Sequence, residues 1–260
     1  MESICLAPLT TDQCRVLARS LGDRPETTMA VHACTRGLAE AYVIGTPDSY
    51  RAAIVGGPTT YGEPHVFGTD DQAVCELLAN VSGWGCVLLE PHLLAAAYSF
   101  TRQHIAPKAR TYESVVLVLH TRAIISDHIS IVQLAGPTDQ SLFHLDPKLV
   151  PSGFASISES FTEGVVAAAI AKTAAGDACA VATACVEKLT SRYGEITVYT
   201  LEEERRKGYC TACASLVARD LQDRDITPVW MTGADNAASL RVARKLGFVE
   251  HSRPTYVIRA

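Results

Sequence analysis

The spacing of apolar and polar positions divides the chain into two successive runs of elements. In the first run the pattern predicts helices over 10–21, with Asp12 near the positive end, and over 26–39. Strands follow at 41–45 and 50–56, joined as a hairpin by Thr46-Pro47-Asp48-Ser49, whose proline and aspartate favour a turn. Thr69-Asp70-Asp71 marks a helix start for 72–81, 85–89 is a short apolar strand, and a further helix is expected after Pro91. The segment 112–120 closes this run. Its unbroken apolar stretch 115–119 suits a strand covered on both faces.

The second run opens with a strand near 129–134 and a connection carrying Asp146, Pro147, Pro151 and Ser152. Segments 164–171 and 178–186 read as strands around the tight-turn sequence Ala174-Ala175-Gly176-Asp177, and 194–200 as a third, which makes an antiparallel meander. From Gly208 onward Cys213, Leu216, Val217 and Leu221 repeat at helical spacing. A short strand at 229–232, a helix over 236–246 stopped by Gly247, and a last strand at 255–258 complete the chain. These patterns imply two domains, 1–124 and 125–260, with the boundary near 122–128. The shared order of elements hints at an old tandem duplication, although no residue-level repeat accompanies it.

Composition narrows the possibilities. A chain of 260 residues that is 48% hydrophobic can bury a substantial core. A net charge of −5 argues against a protein that works mainly by coating nucleic acid or an anionic membrane. Nine scattered cysteines do not form the even framework of a small secreted scaffold, and residues 1–24 mix Asp12, Arg15, Arg19 and Asp23 with apolar positions, unlike a signal peptide. The apolar stretch 164–186 is interrupted by Lys172, Gly176 and Asp177, so it reads as a hairpin and not a membrane span. The expectation is a soluble, cytoplasmic protein.

The strongest chemical signal is the segment 198–210, where Glu202-Glu203-Glu204-Arg205-Arg206-Lys207-Gly208-Tyr209-Cys210 follows a strand and opens a helix. A helix N-terminus presents unpaired N–H groups and partial positive charge, which suit a pyrophosphate. Gly208 permits close backbone approach, and Arg205, Arg206 and Lys207 add charge. On these residues alone, a solvated basic turn answering the acidic run 202–204 is an equal alternative.

Arg205, Gly208 and Cys210 occupy the places of the Arg/Gln-x-x-Gly-x-Gly/Ala signature of the GNAT acetyltransferase superfamily, with Cys210 departing from the usual final residue. Asp235-Asn236-Ala237-Ala238-Ser239 followed by Arg244-Lys245-Leu246-Gly247-Phe248 resembles that family's second block. The resemblance covers the second half and looks closest to a subgroup with an additional N-terminal domain that includes antibiotic-acetylating enzymes. It implies an α/β (α+β) GNAT fold, a mixed and mostly antiparallel sheet flanked by helices, preceded by a smaller α/β domain that could be a degenerate GNAT-like half.

The resemblance also implies roles. Acetyl-CoA or another acyl-CoA would be the cosubstrate, held by the main chain around Val198, Tyr199 and Thr200, by amides from Arg206 to Thr211 (Arg206, Lys207, Gly208, Tyr209, Cys210, Thr211), by Arg205, and on its far side by Asn236 and Ser239. A backbone N–H near Val198 would polarise the thioester carbonyl. Glu195, on the strand face shared with Thr197 and Tyr199, is the candidate base for the amine; a cross-strand partner for a lysine or arginine is its alternative role. Many members protonate the leaving thiolate with a tyrosine of the last helix. Here that place is Ala243, so that Ser239, Tyr209 or a bound water substitutes, or the thiolate leaves without a dedicated acid.

Cys210 and Cys213 have CxxC spacing, but no second pair stands at ligand distance, and the eight histidines form no cluster with carboxylates. No metal is expected. Trp230 is expected in the core, and Gly56-Gly57-Pro58 with Gly62 reads as a turn. The expected activity is transfer of an acetyl group to a primary amine of a small molecule, with an antibiotic-like metabolite as one acceptor class and pocket residues from the first domain and 143–161. An aminoacyl-tRNA or carrier-protein donor, a non-catalytic CoA-binding module, and a homodimer stay open.

Overall fold

The computed structural model describes residues 6–57, 63–125, 131–172 and 176–259. It divides into two compact units, one of residues 1–116 with 252–260 and the other of residues 117–251.

In the first unit α1 (Thr11–Leu21) starts at a reciprocal cap, in which the Gln13 amide donates to Thr10 Oγ1 at 3.3 Å and the Thr10 amide donates to Gln13 Oε1 at 2.9 Å. It packs on α2 (Thr28–Arg36), which ends at the left-handed Gly37. The hairpin of β1 (Glu40–Thr46) and β2 (Ser49–Gly56) turns where the sequence places it. Then come β3 (His65–Gly68), α3 (Asp71–Asn80), β4 (Cys86–Leu89), α4 (Leu94–Phe100) and β5 (Arg110–Val118). Strand β3 is too short, and too close to Pro64, for its alternation to be read from sequence. Period-two alternation along β2 builds both faces: Ala53 and Val55 join the α1 and α2 core with Cys14, Leu17 and Cys34, while Ala52 and Ile54 join Leu77, Leu78 and Leu89 on the α3 side.

Residues 252–260 belong to this unit, where the division 1–124 and 125–260 would assign them to the other. The final strand, β12 (Thr255–Ile258), lies between β4 and β5 and pairs antiparallel with both. Val257 is fully buried there. Periodicity shows that 255–258 is a strand, but it carries no information on which strands receive it.

The second unit has β6 (Val132–Ala135), the short α5 (Ile157–Thr162), β7 (Val166–Lys172), β8 (Ala178–Leu189), β9 (Tyr193–Thr200), α6 (Tyr209–Asp223), β10 (Thr227–Gly233), α7 (Ala237–Lys245) and β11 (Val249–Ser252). Its strands run in the order β10-β9-β8-β7-β6, all antiparallel except β9 with β10. Alanines of β7 and β8 and Gly194 of β9 let α6 lie close. A Cβ at Gly194 would stand 2.8 Å from the Leu221 methyls. Buried Cys213, Val217 and Leu221 supply the helix's core face, at the spacing read from sequence. Each unit is therefore a mixed, mostly antiparallel sheet flanked by helices.

Residues 129 and 130 of the expected 129–134 strand, 174 and 175 of the expected 174–177 turn, and Pro58 and Gly62 lie outside the described residues. Among the described residues no helix is long and apolar enough to cross a membrane.

Candidate functional site

Strands β9 and β10 stay paired only from Tyr193↔Thr227 to Glu195↔Val229 and then separate. On its other side β9 remains laddered to β8 as far as Thr200↔Ala182, and the Leu201 amide donates to the Val181 carbonyl. Hydrogen-bonded pairs alternate along an antiparallel ladder. Residues 197, 199 and 201 therefore bond toward β8, and the N–H and C=O groups of Val198 and Thr200 point to the side that β10 has left. This is an open main-chain edge inside a sheet.

That edge runs directly into the motif loop. After a single 3₁₀ turn at Glu202–Glu204, Arg206 takes a left-handed conformation (φ 66°), and so does Gly208 (φ 87°), the N-cap of α6. A non-glycine residue in that region is strained, and such strain persists only where the surroundings impose it. The first α6 amides, of Tyr209, Cys210 and Thr211, belong to the turn that a helix leaves without internal acceptors, and Gly208 has no side chain to cap them. Arg205 Nε reaches the Thr200 carbonyl at 3.4 Å, and Lys207 pairs with Glu204 at 2.7 Å. The basic turn thus does answer the acidic run in part. Among the described residues Thr200 Oγ1 is buried with no hydrogen-bond partner.

The matching junction of the first unit is built differently. Only Thr69 and Asp70 separate β3 from α3, and the Asp70 carboxylate accepts from the amides of Gln72 and Ala73 at 2.9 and 3.1 Å. Those bonds, with Ala73 first, hold its carboxyl below the usual range. A fixed negative charge occupies the helix end that carries an uncapped loop in the second unit.

Glu195 sits at the last paired position before the strands separate, and Glu195 Oε1 accepts from Lys188 Nζ at 3.1 Å. The cross-strand lysine considered from sequence is therefore present. A bulge in β8 between Val186 and Lys188 turns Glu187 to the same face, where Lys188 Nζ donates to Glu187 Oε2 at 2.5 Å. Glu187 also accepts from Ser152 Oγ and Thr197 Oγ1, both at 2.8 Å. The three charged side chains are 8%, 11% and 12% exposed for Glu187, Lys188 and Glu195. Burial opposes ionisation of Glu187, but Lys188 and the two hydroxyls overcome it and bring its pKa down to about 2. Burial likewise opposes charge on Lys188, yet the two carboxylates hold its pKa above the ordinary lysine value. Farther along the same face, Tyr199 Oη donates to Asp146 Oδ2 at 2.8 Å, and Lys148 Nζ stands 5.6 Å from the ring centroid.

Glu187, Lys188, Ser152 and Asp146 were not singled out as site residues from sequence. The available signal was a Glu-Lys pair interrupting the apolar run of β8, which an unbulged strand covered on both faces would not carry.

At the other wall, Asn236 caps α7, its Oδ1 accepting from the Ser239 amide at 3.1 Å. Ser239 Oγ accepts from Trp230 Nε1 at 2.9 Å, and the Trp230 ring meets Phe248 edge-on at 5.6 Å. Trp230 is core, as expected. A serine hydroxyl that accepts one bond keeps its own hydrogen for another acceptor. Ala243 is fully buried on α7 and has no group to lend to chemistry.

Burial pushes the Cys210 and Cys213 thiols up to about 11 and 12, which keeps them protonated and unreactive at neutral pH. Among the described residues no group of three His, Cys, Asp or Glu is placed to hold a metal ion.

The family model described as GNAT acetyltransferase matches residues 23–257. The chain belongs to the GNAT acetyltransferase family. The match takes in most of both units, whereas the sequence motifs lie in the second alone. Among solved structures, a GCN5-related N-acetyltransferase-like protein from Streptococcus suis aligns with a TM-score of 0.68 at 21% identity, covering 96% of this chain and 100% of that one. A Drosophila protein aligns at 0.67 and 12% identity over 98% of each chain. A tandem GNAT protein from the clavulanic acid biosynthesis pathway aligns at 0.57 and 12% identity over 97% of each. At these identities the likenesses show the GNAT fold. A search of curated protein sequences found no match.

Proposed function

We propose that the protein transfers an acetyl group from acetyl-CoA to the primary amine of a small molecule, at the fork between β9 and β10. The observation that carries this reading is the continuity of the open edge at Val198 and Thr200 with the uncapped N-terminus of α6 behind left-handed Arg206 and Gly208. An extended amide-bearing arm would add to that edge as a strand would, and a pyrophosphate would meet the amides from Arg206 to Thr211. Arg205, Arg206 and Lys207 supply positive charge there, and Thr200 Oγ1, buried with no hydrogen-bond partner among the described residues, belongs to the same end of β9. Asn236 and Ser239 close the far side. These residues fit coenzyme A, and the capped Asp70 junction of the first unit does not.

When bound, acetyl-CoA supplies the activated acyl carbon. The Val198 amide, fixed in the strand, would hydrogen-bond the thioester oxygen and stabilise the charge that develops there. Glu195, at the start of the fork, would take the proton that the acceptor ammonium must lose, directly or through a water. The Ser239 hydroxyl would donate to the leaving sulfur in place of the tyrosine replaced by Ala243.

The acceptor is a small-molecule amine, amine-bearing antibiotics and other specialised metabolites included. The test is acetyl-CoA-dependent thiol release across a panel of such amines, with mass spectrometry of the products. N-acetylated product supports the reading. Coenzyme A binding without turnover of any amine would favour the non-catalytic module that buried Ala243 suggests.

A further inference from the structure

A cavity of about 360 Å³ opens within the first unit, where the chain passes from α3 to β4. Its floor comes from the β1–β2 hairpin. Tyr42 pairs with Ile54 and Glu40 with Gly56, and cross-strand partners share a face, so Glu40 and Tyr42 lie on the α3 side with the core residue Ile54. The wall is the segment after α3, which ends at Asn80 and leads through Val81, Ser82 and left-handed Gly83 (φ 87°) to Trp84. Gly56, opposite Glu40, has no side chain to fill the space, and a Cβ at Gly83 would meet no atom within 4 Å.

The lining is chemically one-sided. Two aromatic rings, Tyr42 and Trp84, stand with the aliphatic side chains of Ile54 and Val81, and Glu40 is the one charged group among the described lining residues. Glu40 is exposed, and its Oε1 accepts from Tyr42 Oη at 2.7 Å. That bond first, and burial second, pushes the Tyr42 phenol up, which keeps it the donor. Among the described residues Glu40 has no ion-pair partner. Trp84 is 3% exposed and is held from outside the lining by Arg259, whose guanidinium lies 3.5 Å from the ring centroid. A carboxylate without a cation, beside aromatic and aliphatic walls, is complementary to a positive charge that carries its own apolar groups.

We propose that this cavity binds a small organic ammonium ion, with Glu40 as its counter-ion and Tyr42 and Trp84 as the aromatic walls against which its alkyl groups pack. A neutral molecule of the same shape gains the apolar contacts alone, and an anion meets the Glu40 charge. The lining residues all belong to the first unit, so this site shares no residue with the coenzyme A reading of the second.

The test is titration of the full-length protein with choline and with its neutral carbon isostere, dimethylbutanol, followed by tryptophan fluorescence and by calorimetry. A quaternary nitrogen has no proton to lose, so binding is read apart from acyl transfer. Wild type should bind choline at least about fivefold more tightly than the alcohol, and added salt should weaken choline alone. Glu40→Gln, at an exposed position, should fold as wild type does and bring the ratio below about twofold. Tyr42→Leu, which keeps apolar bulk without a ring, should lower the ratio as well. Absence of choline binding, equal binding of the two probes, or a folded Glu40→Gln or Tyr42→Leu protein that retains the wild-type ratio overturns the proposal. A failed coenzyme A titration of the same samples would sink the acyl-transfer reading and leave this one standing.

Discussion

Replacing Lys188 by methionine keeps most of the side chain's bulk and removes the charge that binds two carboxylates. Against the opposing effect of burial, Lys188 together with the Ser152 and Thr197 hydroxyls lowers the Glu187 pKa from its ordinary 4.5 to about 2, at 8% side-chain exposure. A displacement of that size corresponds to about 3 kcal/mol of folding free energy. Breaking a buried ion pair from one side costs about 3–5 kcal/mol, a figure of the same order. The sign follows from linkage. A depressed carboxyl pKa contributes its full stability above about pH 4.5 and loses it as pH falls toward 2, because the native state must then take up the proton. In the methionine variant both carboxyls lose the Lys188 counter-charge in a low-dielectric site, so acid relieves the variant while it weakens the wild type. Urea unfolding followed by circular dichroism at pH 7.5, 5.5 and 4.0 should show a deficit of about 3–5 kcal/mol at pH 7.5 that narrows toward pH 4. A deficit under about 1 kcal/mol at pH 7.5, in the range of an exposed pair, or one unchanged across the series, would refute the buried-cluster reasoning.

Gly153→Ala should cost about 2–3 kcal/mol in the same unfolding assay, since its Cβ meets the Glu187 carbonyl and its φ of 98° strains any L-residue. Ser239→Ala leaves the buried Trp230 indole N–H without its acceptor and should lower stability by about 1–2 kcal/mol, with a shift in tryptophan fluorescence. Coenzyme A should bind once per chain, because the first-unit junction presents the capped Asp70 carboxylate where the second presents free amides. A calorimetric stoichiometry of two would show that reading of Asp70 to be mistaken.

The local elements were legible wherever periodicity is strong. The hairpin at 46–49, the α6 face of Cys213, Val217 and Leu221, and the Gly247 stop follow from spacing and turn chemistry. Strands such as β3 and β11 were not, because four residues without alternation carry no periodic signal. The place of β12 in the first unit was also hidden, since pairing is a property of partners and not of the strand's own pattern. At the site, the motif loop was readable because glycine and charge mark it locally. The Lys188 cluster was not, because it depends on a bulge that moves Glu187 across the sheet and on Ser152, which is distant in sequence.

The central claim is that the β9–α6 junction binds coenzyme A, and calorimetric titration with acetyl-CoA of wild type and Gly208→Val tests it most directly. The account predicts saturable micromolar binding by wild type, and a Kd at least tenfold higher, about 1.4 kcal/mol, for a variant that keeps its circular dichroism. No binding by wild type, or equal binding by a folded Gly208→Val, would contradict it.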